Sequence, residues 1–198
     1  QLTSLRVLEL KWNLSLKEIP ATFGNLQGLQ DLLLLNLPAL RTLPASFGNL
    51  TSLRNLRIII GGLTTLPTSF GNLIWLRTLK LRKLKELEGL PDSFGGLSSL
   101  KEFEIEWTGL KSLPESFGQL DSLERLKIKH CPLESLPDSF GRLKSVKEII
   151  IRKGNLECLP DSIGGLKSLE KLTILGSHIE TLPDSIGGLK SLETLSLL

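Results

Sequence analysis

His130 and Cys131 are neighbours in the chain, and a cysteine thiol beside an imidazole is the pair that catalysis by a thiolate nucleophile requires. Their places in the surrounding pattern argue against that chemistry. Cys131 occupies an inward-facing position after a predicted strand, whereas His130 occupies the outward-facing end of the same strand. We therefore predict that Cys131 is a buried structural cysteine.

Other residue types that carry catalysis or bind metals do not form a recognisable constellation. The many serines recur without a neighbouring histidine, and no GxxxxGK[ST] segment is present to bind a phosphate. The two cysteines have no CxxC spacing, and a disulfide between Cys131 and Cys158 is disfavoured because Cys158 falls in an outer loop. The sequence predicts no enzyme activity, no cofactor and no metal site.

The composition excludes two further classes of protein. The chain has 198 residues, with 24 Lys and Arg against 21 Asp and Glu and a formal net charge of +3. About a quarter of the residues are leucine, while methionine and tyrosine are absent. No apolar run approaches the roughly 18 residues of a membrane span, and no signal peptide is visible at the start. We therefore predict neither a membrane protein nor a disordered one.

A unit of 23 or 24 residues recurs along the whole chain and must position these side chains. Each unit has a Leu-Pro or Ile-Pro step, then a small or acidic residue, Ser or Thr, Phe or Ile, and Gly, as in residues 91–97. A strand pattern follows, as in residues 123–128, where apolar residues alternate with polar ones. The prolines of the eight units are Pro20, Pro44, Pro67, Pro91, Pro114, Pro137, Pro160 and Pro183.

This pattern resembles the leucine-rich repeat family, whose unit reads LxxLxLxx(N/C)xL, and the resemblance covers the whole chain. The LPxSFGxL half of the unit is similar to the subtype of plant intracellular immune receptors, Ras-group-related repeat proteins and bacterial effectors. The resemblance implies an α/β fold, a curved leucine-rich-repeat solenoid with a parallel β-sheet on the concave face and short helical or 3-10 turns on the convex face. No linker divides the chain, so we predict a single domain over residues 1–198, with eight full repeats and a partial ninth that ends at Leu198. We expect a fragment of a larger protein, with a neighbouring domain or capping repeats missing at both ends.

The repeat frame makes four structural predictions. Proline fits the first turn of a short helical segment. Asn13 holds the position that is a buried Asn in the family, and the 24-residue length of the first, second and fourth units predicts wider loops after their strands. The recurring aromatic position predicts an internal stack of Phe23, Phe47, Phe70, Phe94, Phe117, Phe140, Ile163 and Ile186.

In this family the outward strand positions are the usual binding surface, and they can be assigned by counting within each unit. They hold 16 basic and 8 acidic side chains, a net charge of +8, which leaves −5 for the rest of the chain. Neighbouring strands lie about 4.8 Å apart, so equivalent positions form columns across the sheet. We interpret the glutamates in these columns as partners of basic residues rather than as a catalytic pair. One predicted column contains Lys80, Glu104 and Lys127, and another contains Arg82, Glu106 and Lys129.

Some columns place basic residues side by side with no acid between them, as Lys129 and Arg152 do. Like charges held together destabilise a sheet unless something compensates them. We therefore predict that repeats 3–4 and 6–7 bind a protein with an acidic patch.

Apolar side chains are predicted to join the basic ones on this face. A cluster lies over repeats 1–3, and Trp107 is expected to stand alone between the basic patches. Exposed apolar patches and tryptophans favour a protein partner, although the cluster could equally contact a missing capping repeat or neighbouring domain. The predicted partner-binding residues are Trp12, Leu33, Leu35, Arg57, Ile59, Ile60, Lys80, Arg82, Lys83, Trp107, Lys127, Lys129, His130, Arg152 and Lys153.

We predict a protein–protein recognition module of intracellular immune-receptor or effector type that binds a partner through its concave face. The alternative is that these are the substrate-recognition repeats of a bacterial effector enzyme, for example a ubiquitin ligase, whose catalytic domain lies outside this chain. A nucleic-acid partner is less favoured, because glutamates interrupt the basic face and no aromatic series accompanies the lysines. The lack of cysteine-rich end caps favours an intracellular, cytoplasmic setting, or delivery into a host cell for an effector. No membrane partner is predicted.

Overall fold

The computed structural model describes residue 2 and residues 4–197 of the chain. Its main feature is a sheet of nine parallel strands whose order in space follows their order in the sequence. Strands form where Leu, Ile or Phe alternates with other residues, because a period of two gives each strand one inward and one outward face. The strands are β1 (Val7–Lys11), β2 (Asp31–Leu37), β3 (Asn55–Gly61), β4 (Thr78–Arg82), β5 (Glu102–Glu106), β6 (Arg125–Lys129), β7 (Glu148–Arg152), β8 (Lys171–Leu175) and β9 (Thr194–Leu197).

A five-residue 3-10 turn follows each of the first eight strands. The recurring proline, with φ between −65° and −69°, caps the turn from the preceding position rather than lying inside it. The predicted α/β solenoid is therefore confirmed. Leu198, the predicted end of the partial ninth repeat, lies outside the described residues. The turns are Ala21–Asn25, Ala45–Asn49, Thr68–Asn72, Asp92–Gly96, Glu115–Gln119, Asp138–Arg142, Asp161–Gly165 and Asp184–Gly188. The described residues contain no helix with the length and apolar character that crossing a bilayer demands.

The predicted stack of phenylalanines runs through the interior. Adjacent rings of the six stacked phenylalanines have centroids 6.0–6.2 Å apart and planes within 9° of parallel. Ile163 continues the stack as a fully buried side chain, and Ile186 is half-buried. Phe103 of β5 contacts the stack from the sheet side, 5.2 Å from Phe94 between ring centroids. One continuous apolar core therefore links the repeats.

The three longer repeats place their extra residue in the same location. A reverse turn follows β1, β2 and β4, at residues 14–15, 38–39 and 85–86. In the described 23-residue repeats no reverse turn follows the strand. In the second of these turns the Leu40 N–H donates to the Leu37 carbonyl at 3.2 Å, and in the third the Leu87 N–H donates to the Leu84 carbonyl at 3.0 Å. The wider loops predicted for these repeats are confirmed.

The prediction of a buried Asn13 is wrong, because this residue is exposed. The equivalent residues Leu37 and Leu84 are buried between two repeats, whereas Asn13 belongs to the first described repeat and has a described neighbour on one side only. Its side-chain Oδ1 accepts a hydrogen bond from the Ser15 N–H at 3.2 Å. Asn13 therefore orders its own loop instead of bridging two repeats.

Candidate partner-binding face

The outward side chains of the strands form columns because all nine strands are parallel and in register. The register pairs residues of β4 with those of β5, and residues of β5 with those of β6, as the repeat frame predicts. The two confirmed columns contain Lys80, Glu104 and Lys127, and Arg82, Glu106 and Lys129.

Every glutamate at an outward position of the first eight repeats forms an ion pair with a basic side chain. Arg82 Nη2 lies 2.5 Å from Glu106, and Lys80 Nζ lies 3.7 Å from Glu104. Lys127 pairs with an acid of the following strand, since its Nζ lies 3.8 Å from Glu148 of β7. These glutamates therefore neutralise basic side chains of the same surface, which explains their presence without a catalytic role.

The remaining basic side chains give this surface its excess charge. Lys129 of β6 and Arg152 of β7 are register partners, and so are Arg57 of β3 and Lys80 of β4. At a strand spacing of about 4.8 Å such like charges repel one another. Among the predicted partner-binding residues, five lysines and arginines have no ion pair with any described residue, namely Arg57, Lys83, Lys129, Arg152 and Lys153.

Trp107 does not stand alone, contrary to the prediction, because its indole stacks on the imidazole of His130. The ring centroids lie 3.8 Å apart and the planes differ by 10°. Parallel pairing sets this arrangement, since the Trp107 N–H donates to the Lys129 carbonyl at 3.0 Å and so continues the ladder past β5. Trp107 remains 46% exposed. In repeat order, the stacked rings lie between Lys83 and Lys153.

The residue that follows each of the first eight strands, or stands near its end, has a left-handed backbone, and we refer to these residues as the edge column. The eighth member is Gly176, with φ of 68°. A left-handed conformation costs a non-glycine residue about 1–2 kcal/mol, and the β-branched Ile60 is especially uncommon there. The sequence prediction did not include this feature, for which Gly176, Asn36 and His130 were the signals, since these residue types are enriched in the left-handed region. The other members, with φ between 52° and 58°, are Trp12, Asn36, Ile60, Lys83, Trp107, His130 and Lys153.

The apolar cluster over repeats 1–3 is less exposed than predicted. Leu33 is 8% exposed and therefore buried, because in the sheet register it lies between the longer side chains of Glu9 and Arg57. Trp12 is 67% exposed, in agreement with the prediction. The remaining members are half-buried, and they are Leu35, Ile59 and Ile60.

Ion pairs shift the pKa values of two groups on this face. A hydrogen bond from Lys101 lowers the pKa of the Glu124 carboxyl, and partial burial opposes this effect. The hydrogen bond to Glu102 raises the pKa of the Arg125 guanidinium. Both shifts favour the charged forms, which keeps these pairs intact near neutral pH.

Cys131 is a structural residue, as predicted, and the structure separates it from His130. Its side chain is 1% exposed, and its Sγ lies 3.2 Å from Thr108 Oγ1. Burial raises the pKa of the Cys131 thiol, although the contact with Thr108 opposes this. Cys158 is exposed, and both cysteines are free.

Comparison with known families gives one match along this chain. The family model described as a leucine-rich repeat region matches residues 1–107 and 91–198, which together cover every residue. A search of curated protein sequences gives no match.

Solved structures with the same architecture come from different kinds of protein. A leucine-rich repeat protein of Leptospira interrogans is 30% identical, with a TM-score of 0.84, and the alignment covers 100% of this chain and 50% of that one. The leucine-rich repeat domain of the type III effector XopL is 28% identical, with a TM-score of 0.74 and coverage of 96% and 75%. A chain of the Drosophila Toll–Spätzle complex shares the fold at 24% identity, with a TM-score of 0.75 and coverage of 100% and 27%. The present chain thus spans half the length of the Leptospira protein.

Proposed function

Because this chain belongs to the leucine-rich repeat family, we propose that it is a protein-recognition module that binds an acidic surface of a partner protein on its concave face. Stacked repeats present an extended surface of this kind, and the fold supports protein–protein interaction in general. Leucine-rich repeat domains are typically binding modules without catalysis of their own. The observation that carries the proposal is the group of basic side chains around the Trp107–His130 stack that form no ion pair with any described residue.

The basic side chains of this group are more available to an acidic partner than the other basic side chains of the face. Lys80, Arg82 and Lys127 have acidic neighbours within the sheet, so a partner would have to compete with existing ion pairs to reach them. Lys129 and Arg152 repel each other and form no ion pair among the described residues, since Glu106, the register neighbour of Lys129 on its other side, pairs with Arg82. An acidic side chain of a partner placed between these two would remove the repulsion and gain two favourable interactions.

The stacked rings supply the apolar part of the proposed interface. Interface hot spots are enriched in Trp and Arg, and they lie near the centre of the contact where water is excluded. Trp107 is half-exposed, and the contact with His130 fixes the plane of its ring before any partner binds. A ring that is already ordered loses little conformational entropy on binding.

We infer a setting in an effector or an intracellular immune receptor. The similarity to the repeat domain of XopL, a type III effector, supports the first of these. In an effector with a catalytic domain outside this chain, such as a ubiquitin ligase, these repeats would recognise the substrate. The sequence of the parent gene on both sides of the repeats distinguishes a catalytic effector from a receptor.

The test is affinity for a partner recovered by pull-down, identified by mass spectrometry and then purified. Lys129→Glu combined with Arg152→Glu should weaken binding at least tenfold, because two attractive contacts become repulsive. The matched control combines Lys17→Glu with Lys190→Glu, the same change in charge at two exposed positions outside the concave face. Equal affinity of the two double variants for the partner would refute the proposal.

A nucleic-acid partner is the competing possibility, and salt dependence separates the two. Binding to phosphates weakens steeply and linearly on a logarithmic scale as salt rises. We expect no such binding to mixed oligonucleotides, because paired glutamates lie throughout the basic face. Between 50 and 200 mM salt, the affinity of a phosphate-binding protein falls by about 10³–10⁵. Tight oligonucleotide binding that is lost over this range would show that the face binds nucleic acid.

A further inference from the structure

The alternation of long and short repeats opens a notch at one edge of the concave face. The third repeat, which starts at β3, has no reverse turn after its strand, whereas the second and fourth repeats have turns at residues 38–39 and 85–86. The two turns rise as walls on either side of the shorter loop. We define the notch by the residues that line it, which are Pro38, Arg41, Ile60, Gly61, Gly62, Lys83, Lys85, Glu86 and Trp107.

Two glycines line the floor of the notch, and both lie close to neighbouring repeats. A Cβ atom at Gly62 would lie 2.2 Å from the Pro38 carbonyl oxygen, so the backbone of one wall approaches too closely for any other residue. A Cβ atom at Gly61 would lie 3.2 Å from Leu84 Cδ2, where Leu37 and Leu84 place whole side chains in the adjoining repeats. The notch has a volume of about 550 Å³, which is within the range of pockets that hold a small ligand.

The rim of the notch combines an apolar surface with positive charge. Ile60 and Trp107, two members of the edge column, form its apolar side toward the concave face. Three basic residues and one acid line it, and Arg41 Nη1 donates to the Gly62 carbonyl at 3.3 Å across the floor. The ammonium groups of Lys83 and Lys85 form no ion pair with any described residue. The charge of the rim therefore favours a ligand with carboxylates around an apolar group.

We propose that the notch receives one large apolar side chain of an acidic, extended segment of the partner protein, whose flanking carboxylates bind Lys83 and Lys85. This assignment rests on the proposed function and adds to it the point at which the partner is gripped. Trp107 belongs both to the notch and to the stack with His130, so the two parts of the interface are continuous. A partner could therefore fill the notch and reach Lys129 without leaving the face.

Three tryptophans make the notch observable by NMR, since the chain contains only Trp12, Trp75 and Trp107 and each indole N–H gives one signal. The probe is the acetylated and amidated peptide Asp-Glu-Phe-Glu, titrated into the full chain labelled with ¹⁵N. We expect the Trp107 signal to shift and to saturate, while the exposed indoles of Trp12 and Trp75 report non-specific contact. A shift at Trp75 or Trp12 equal to that at Trp107 would overturn the proposal.

Two control peptides test the chemistry of the ligand. Replacing Phe by Ala should weaken binding about tenfold, which is the lower end of what burial of such a side chain contributes. Replacing all three acids by Lys should abolish the shift, because the rim is basic. Equal binding of the Phe and Ala peptides, or of the acidic and basic peptides, would show that no side chain is held in the notch by this chemistry.

Two pairs of protein variants separate this inference from the proposed function. Lys83→Glu with Lys85→Glu should abolish peptide binding, while Lys129→Glu with Arg152→Glu should leave it within twofold, because those residues do not line the notch and lie three or more repeats away from its floor. The remaining ¹⁵N signals of each variant confirm that it is folded. Peptide binding that is lost in the second pair and kept in the first would overturn the notch assignment and leave the proposed function intact. If the peptide still shifts the Trp107 signal but the affinity of the partner protein is unchanged in Lys129→Glu with Arg152→Glu, the proposed function is refuted and the notch assignment stands.

Discussion

Charge reversal of Arg152 should make the protein more stable, even though we expect it to remove a partner contact. In the register Arg152 has Lys129 on one side and Leu175 on the other, and it forms no ion pair among the described residues. Arg152→Glu would replace the repulsion from Lys129 by an attraction. Both side chains lie on the outward face of the sheet, so the substitution leaves the core unchanged.

Strand spacing sets the size of this effect. Two unit charges separated by the strand spacing of about 4.8 Å interact by about 0.9 kcal/mol in water. Screening reduces this to about 0.7 kcal/mol at 0.01 M salt and about 0.2 kcal/mol at 1 M salt. Because reversal changes the sign of the interaction, Arg152→Glu should raise the free energy of unfolding by about twice those amounts, or up to about 1.5 kcal/mol at low salt.

Urea unfolding followed by circular dichroism at the two salt concentrations measures this gain. At low salt the midpoint should rise by about 0.5 M, given the usual dependence of unfolding free energy on urea for a chain of this size. The control is Lys171→Glu, one strand further along the same face, where Lys171 Nζ lies 3.5 Å from Glu148. That reversal turns an attraction into a repulsion and should lower the midpoint instead.

The outcome that refutes this reasoning is a loss of stability in Arg152→Glu, or a gain that does not change with salt. Either result would mean that the charged ends of Lys129 and Arg152 already avoid each other, or that Arg152 contributes through contacts of its apolar stem. The repulsion between Lys129 and Arg152 would then be too small for a partner to gain free energy by relieving it.

Three further predictions concern the core and two titrating groups. Phe94→Ala should destabilise the protein by about 3–5 kcal/mol, because the ring is fully buried between two others; a loss below about 1 kcal/mol in urea unfolding would contradict a continuous stack. Iodoacetamide at neutral pH should modify the exposed Cys158 and spare Cys131, as measured by mass spectrometry of the native protein; equal labelling would show that Cys131 is accessible. The pKa of the Glu124 carboxyl, followed by NMR, should lie below the ordinary glutamate value and rise in Lys101→Met. Because the folded-state pKa is below the unfolded one, this group stabilises the protein at pH values above the unfolded pKa of about 4.3, and that stabilisation is lost as the pH falls through the folded-state pKa. An unchanged titration of Glu124 in Lys101→Met would disprove the pairing.

The repeat period was sufficient to predict the fold, because equivalent residues must stack at equal intervals in a solenoid. It also predicted the columns, since the strand occupies the same place in every unit and the extra residue of a longer repeat lies in the loop after the strand. The stack of Trp107 on His130 could not be predicted in this way, because it depends on the left-handed conformation after each strand, which places both rings at the same edge. Leu33 was misjudged for a different reason. An alternating pattern assigns it to the outward face, but burial there depends on the length of the neighbouring side chains.

At each non-glycine position of the edge column a glycine substitution would raise thermal stability and at the same time remove a side chain that could contribute to recognition. Each of its non-glycine members holds a backbone conformation that glycine adopts without strain, as Gly176 does in the eighth repeat. Glycine at Asn36, outside the proposed interface, would therefore raise the melting temperature and leave recognition unchanged. Glycine in place of Trp107 would relieve the same backbone strain but would remove the aromatic ring that we propose a partner contacts. Replacing every non-glycine member of the edge column by glycine would therefore give a more stable scaffold that keeps Lys129 and Arg152 but loses the stacked rings, and new side chains could be introduced at these positions one at a time.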